Sequence, residues 1–85
     1  MSTNFQTAVR TNVARETRIE CLDRLAEEGD VENLRLFIEL DGTPPGLRRY
    51  ALDRLVGKGA SAQLAKLAAD RALEPSLREE ARRHA

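Results

Sequence analysis

The sequence predicts an all-α fold, a small right-handed stack of about five helices, and three observations predict it. The first is composition. Of 85 residues, 41% are hydrophobic, yet Phe5, Phe37 and Tyr50 are the only aromatics and Trp is missing. The core must then be Leu, Ala, Val and Ile, and the abundant Leu, Ala, Glu and Arg lose little side-chain freedom in a helix. The second is spacing: apolar residues recur three and four apart along most of the chain, which is the period of one helical face. The third is a repeat. A shift of thirty residues lays Arg18 on Arg48 and Leu22-Asp23-Arg24-Leu25 on Leu52-Asp53-Arg54-Leu55, with Gly29 on Gly59 and Leu34 on Leu64. The same shift carries Pro45, Leu47, Arg48 and Ala51 onto Pro75, Leu77, Arg78 and Ala81.

Taken in order, residues 1–14 open with cap-forming residues, Thr3 and Gln6 have capping-box spacing, and Phe5, Ala8, Val9 and Val13 share a face. They predict a short helix covering the open end of the stack, with a disordered lead-in as the alternative. The next helix spans 15–28, with Ile19, Leu22, Leu25 and Ala26 inward; Thr17 and Glu20 would allow it to start a turn later. Gly29 ends it through the left-handed conformation that glycine tolerates, and Asp30 caps a helix at 31–40 carrying Leu34, Phe37, Ile38 and Val31. The run Asp41-Gly42-Thr43-Pro44-Pro45 breaks the chain, with Thr43 as a cap and a Pro in the first turn of a helix at 44–57. That helix points Leu47, Ala51, Leu55 and Val56 inward. A helix at 61–71 follows, with Leu64, Leu67 and Ala68 inward, and a last one at 76–84 opens on a Ser76–Glu79 capping box and bears Leu77 and Ala81.

A thirty-residue period with two helices per unit marks an α-solenoid. The Pro-x-Leu-Arg-x-x-Ala entry at 45–51 and 75–81, the Leu-x-x-Leu that follows and the inter-helix glycine resemble the short HEAT-repeat family, of the kind found in bilin-lyase-like and related bacterial repeat proteins. The resemblance covers residues 15–85. It departs from the family where the first unit lacks the entry proline and where the third stops after one helix. One domain over 1–85 is expected: an N-terminal cap helix at 1–14, repeats at 15–43 and 44–74, and a C-terminal half-repeat at 75–85. A helix pair cannot bury its apolar side alone, so the two ends must act as caps.

Charge and cysteine usage bound the rest. Fourteen basic and fourteen acidic side chains cancel, which disfavours a general polyanion binder. Residues 16–41 nevertheless hold nine acids against three Arg, a net of −6, whereas residues 42–85 hold nine bases against five acids, a net of +4. Such a division can steer a partner or favour a weak head-to-tail self-association that salt would screen. Scattered solvated helix faces are the plainer reading. A single Cys21 cannot form an internal disulfide, and no stretch of about eighteen apolar residues occurs, so a soluble cytoplasmic protein without a membrane partner is expected.

Site chemistry does not assemble locally. His84, the one histidine, lies next to the last residue, and Cys21 falls on Ala51 and Ala81 in the repeat, where a small core residue belongs. The neighbouring carboxylates Glu27-Glu28 and Glu79-Glu80 diverge by about 100° around a helix and do not converge as an acid/base pair. No catalytic residue, metal ligand or cofactor is therefore expected. Asp23-Arg24 and Asp53-Arg54, recurring in step, predict a ladder of Asp–Arg pairs between units.

The resemblance implies a non-enzymatic protein–protein interaction module, a scaffold or adaptor for an unknown protein partner. Its face would be the second helix of each pair: Glu32, Arg35, Leu36 and Glu39, then Gln63, Lys66 and Arg71, with Leu36 the apolar side chain expected in solvent and a core position as its alternative. An alternative basic face of Arg48, Arg49, Arg54, Lys58, Arg78, Arg82 and Arg83 would suit a nucleic-acid-associated regulator. That reading is disfavoured because acids interleave with the bases and stacking aromatics are missing. A third reading, suggested by bilin-lyase-like relatives, is the accessory subunit of an enzyme.

Overall fold

The computed structural model describes residues 3–85 and is all-helical over them, with no strand among the described residues. Its helices are α1 (Thr3–Ala8), α2 (Arg15–Glu27), α3 (Val31–Glu39), α4 (Pro45–Gly57), α5 (Ser61–Ala68) and α6 (Pro75–His84). Among the described residues six helices stand where about five were expected; they fall on the six segments read one by one from the sequence, a cap, two pairs and a half-repeat, so the expected total is one too few. The thirty-residue period is carried by the backbone: Arg15–Glu27 maps onto Pro45–Gly57 at both ends, and α6 begins thirty residues after α4.

The glycine stops form as predicted, and their hydrogen bonds explain why. Gly29 and Gly59 stand at φ 73° and 65°, a region that costs a side chain about 1–2 kcal/mol and glycine little. At the first stop the Asp30 N–H donates to Leu25 O (2.8 Å) and the Gly29 N–H to Ala26 O (3.1 Å). At the second, Ala60 donates to Leu55 O (3.3 Å) and Gly59 to Val56 O (3.0 Å). Both are Schellman closures, which use carbonyls the helix end would otherwise leave free. Asp30 then caps α3, its Oδ1 accepting from the Asn33 N–H at 3.3 Å.

Other predicted caps do not form. Helix α4 starts on Pro45 with Pro44 in the cap position, and Thr43 instead turns back and donates from its buried hydroxyl to Phe37 O at 3.3 Å. Likewise α6 starts on Pro75 behind Glu74, which leaves Ser76 inside the first turn. A proline at the first helical position brings no N–H, so one of the donors a cap would satisfy is missing from the start. Helix α2 begins at Arg15, not a turn later at the Thr17–Glu20 box. Helix α1 begins at Thr3, so its cap position falls on Ser2, outside the described residues, and it ends at Ala8, well short of residue 14. Helix α5 ends at Ala68, three residues before the predicted Arg71.

Contacts between helices follow a simple order. Each helix packs on its neighbours in the chain; in addition α1 touches α3 and α3 touches α5, while α2 touches α4 and α4 touches α6. Odd and even helices thus form two rows with one core between them. Every inward residue predicted for α2 to α6 is buried or packed against that core: Leu22, Leu25, Ala26, Leu34, Phe37, Ile38, Leu47, Ala51, Leu55, Leu64, Leu67, Leu77 and Ala81 are buried, while Ile19, Val31, Val56 and Ala68 are partly so; Leu52, which the spacing did not single out, is wholly buried as well. Cys21, 8% exposed, is the small core residue its alignment with Ala51 and Ala81 predicted. Loop residues join the core too, with Leu73 buried between α5 and α6. The succession of buried, half-buried and exposed positions over 41–50 recurs residue for residue over 71–80.

Candidate functional site

The two candidate surfaces lie on different rows. Glu32, Arg35, Leu36 and Glu39 sit on α3, Gln63 and Lys66 on α5, and Arg71 in the turn after it, all on the odd row. Arg35 gathers most of them. Its Nε donates to Gln63 Oε1 at 2.5 Å, one terminal nitrogen donates to Glu39 Oε1 at 2.6 Å, and the other lies 3.8 Å from Glu32 Oε1. The guanidinium is only 12% exposed, so it braces α3 to α5 and leaves little of itself for a partner. Lys66 and Arg71 are exposed and lie outside this cluster.

Leu36 is exposed and not in the core, at 37%. Leu40, immediately after α3, is 40% exposed and was missed by sequence reasoning, which drew α3 through it as an ordinary final residue. The signal available for it was its distance of four residues from Leu36 on the exposed side. These are the two large hydrophobic side chains in solvent among the described residues. Leu36 lies on, and Leu40 just past, a helix held in place at both ends by the Asp30 cap and the Thr43 hydroxyl.

The basic candidates lie on the even row and are mostly paired. Arg48 is 3.3 Å from Glu74, Arg49 is 3.7 Å from Glu80, Arg54 is 3.4 Å from Asp23, Arg82 is 2.7 Å from Glu79, and Arg83 also contacts Glu80. Lys58 is exposed, while the Arg78 Nε is buried without a hydrogen-bond partner. Phosphate binding needs cations free to displace counterions, and five of these seven already face a carboxylate. Of the predicted Asp–Arg ladder one rung forms, between α2 and α4, where Asp23 meets Arg54 and also accepts from the Tyr50 hydroxyl at 2.6 Å.

A repeated arginine was legible only as an alignment. Arg18 is buried, 7% exposed, with its Nε donating to Ala8 O at 2.7 Å. Arg48 donates to Leu40 O, also at 2.7 Å. In the first two units this side chain reaches a carbonyl at or just past the end of the preceding odd helix, where a cation also meets the negative end of the helix dipole; the aligned Arg78 makes no such bond among the described residues.

Among the described residues no group of three or more His, Cys, Asp or Glu side chains could hold a metal ion, and no pocket is present. No helix among the described residues is long and apolar enough to cross a membrane. His84 stands 3.2 Å from Glu80 at the end of α6. No family model matches the chain, and neither a curated protein nor a solved structure is similar to it.

The Asp23–Tyr50 contact carries a pH dependence. The hydrogen bond to Asp23 raises the Tyr50 pKa, with burial and the Asp23 charge adding to the rise and Arg54 opposing it. A pKa raised in the folded state contributes stability below the unfolded value of about 10 and loses it as pH climbs through the folded value. Tyr50 is the only tyrosine, so alkaline titration of ultraviolet absorbance reads it alone. Its midpoint is expected above the ordinary value and should fall back in Asp23→Ala. Equal midpoints in the two proteins would remove the contact from the account.

Proposed function

We propose that this chain is a non-enzymatic protein-binding module, a miniature HEAT-like α-solenoid whose odd row presents α3 to a partner. Supporting the solenoid reading are the thirty-residue spacing of the α2 and α4 bounds, the paired Schellman closures, and the aligned Arg18 and Arg48, each of which bonds a carbonyl at or just past the end of the preceding odd helix. The binding reading rests on one observation: Leu36 on α3 and Leu40 immediately after it are both exposed, on an element that Arg35 ties to α5. Apolar side chains at the centre of a rigid surface, with charged groups at the rim, are what an interface core requires. Glu32, Glu39, Gln63, Lys66 and Arg71 supply that rim. The pairing of five of the seven basic candidates supports this reading over the nucleic-acid one.

The test is affinity capture from lysate with the wild-type chain and with Leu36→Glu, each with and without nuclease. A discrete protein held by the wild type in both lanes, and bound about tenfold or more weakly by Leu36→Glu, is the expected result. Position 36 is exposed, so the variant should keep its helical spectrum. Capture that vanishes with nuclease would transfer the function to the even row and its arginines. Equal capture by the variant would remove α3 as the binding face.

A further inference from the structure

We infer that the two ends of this stack are built to refuse a second copy of the chain placed end to end. The inference rests on the stacked-repeat reading and goes beyond it, since the division into an acidic and a basic half would favour head-to-tail contact. Repeat register decides otherwise. A copy continuing the thirty-residue step would set its α1 against α6 as α5 sits against α4, and its α2 against α6 as α6 sits against α4.

Consider first the core that such a junction would make. Inside the chain, Leu52 and Leu55 of α4 and Leu64 and Leu67 of α5 are wholly buried in one cluster. The corresponding places at the junction are Arg82 on the last helix with Ala85 just after it, and Asn4 and Thr7 on the first. Arg82 is exposed and held by Glu79 at 2.7 Å, and Asn4 donates to Glu28 at 3.4 Å. Stacking would desolvate these polar groups in return for little apolar area.

Charges between even helices point the same way. The internal contacts Asp23–Arg54 and Arg49–Glu80 join opposite signs. Their counterparts across the junction would be Arg83 against Arg24 and Glu79 against Glu20, like signs in both cases. The diagonal Arg83–Glu20, in the places of Asp23 and Tyr50, is the one attractive contact, and Arg83 is already engaged by Glu80.

Sedimentation velocity at low ionic strength tests this. The wild type should sediment as a single 9.5 kDa species over a wide range of concentration. Two half-repaired variants supply the positive arm: Asn4→Leu/Thr7→Leu/Arg24→Glu alters only the first end, and Arg82→Leu only the last. Mixed, they should form a one-to-one complex at least about tenfold tighter than either forms with itself. A salt-reversible wild-type oligomer would overturn the inference, and so would a mixture no tighter than its components. Failure of the stack itself would look different: contacts between Asp23 and Tyr50 and between Arg49 and Glu80 would be missing from the solution NMR spectra whatever the ends do.

Discussion

Replacing Phe37 by Ala is expected to cost about 3–5 kcal/mol, the usual toll of emptying a large aromatic site in a core. Phe37 is the largest of the wholly buried side chains, and it sits where α3 meets both rows. A domain of this size has only about 5–15 kcal/mol of net stability, so the variant should stand close to unfolding at room temperature. Its cavity has little prospect of collapsing, because Thr43 ties the end of α3 to the following loop through the Phe37 carbonyl itself. The repeat supplies a control. Thirty residues on, the same position is Leu67, equally buried. Phe37→Leu leaves a much smaller void at a site the repeat fills with Leu, so it should lose clearly less, on the order of 1–2 kcal/mol. Urea denaturation followed by far-ultraviolet circular dichroism distinguishes the two. A Phe37→Ala midpoint near that of Phe37→Leu would mean that the site is not packed as described.

The comparison of those two positions also shows what the sequence makes legible. Apolar spacing placed Leu34, Phe37, Leu64 and Leu67 inward correctly because a helical face is a local property, set by residues three and four apart. Gly29 and Gly59 were readable for the same reason: a left-handed stop needs a glycine at one position and little else. Thr43 was misread because its hydroxyl has two possible uses, capping ahead or bonding behind, and only the fold places the Phe37 carbonyl within reach. Leu73 looked like loop because no periodicity surrounds it, though its alignment with buried Thr43 could have marked it. The candidate surface was legible in part. Leu36 could be placed on the outer face of its helix pair but equally in the core, and the bond from Arg35 to Gln63 on α5, which makes that side chain a brace, lay beyond sequence spacing. Pairings between residues 28 apart cannot be read from a spacing rule.

Removing the Arg18 guanidinium should uncouple the first helix from the rest. Helix α1 has six residues, and isolated helices shorter than about 12–15 residues are marginal in water, so its helicity depends on docking. Docking relies on Ala8, on the partly buried Phe5 and Val9, and on the Arg18 Nε bonded to Ala8 O at 2.7 Å, the last carbonyl of α1. Arg18→Met retains an apolar stem of similar length and loses only the donor and the charge. Hydrogen bonds from charged groups contribute about 1.5–3 kcal/mol, and the buried carbonyl left behind adds to the loss. The loss should be local. Amide hydrogen exchange across α1 is expected to accelerate to nearly unprotected rates, while α2 to α6, joined by Asp23–Arg54, Arg48–Glu74 and the leucine core, keep most of their protection. Arg48→Met offers the contrast, since Arg48 makes the same kind of bond to Leu40 O between two helices that other contacts hold as well. Its variant should lose stability globally without releasing one helix. If α1 kept its protection in Arg18→Met, the hydrophobic contacts of Ala8 and Phe5 alone would suffice to dock it, and the recurring arginine would owe its place to something other than closing the helix before it.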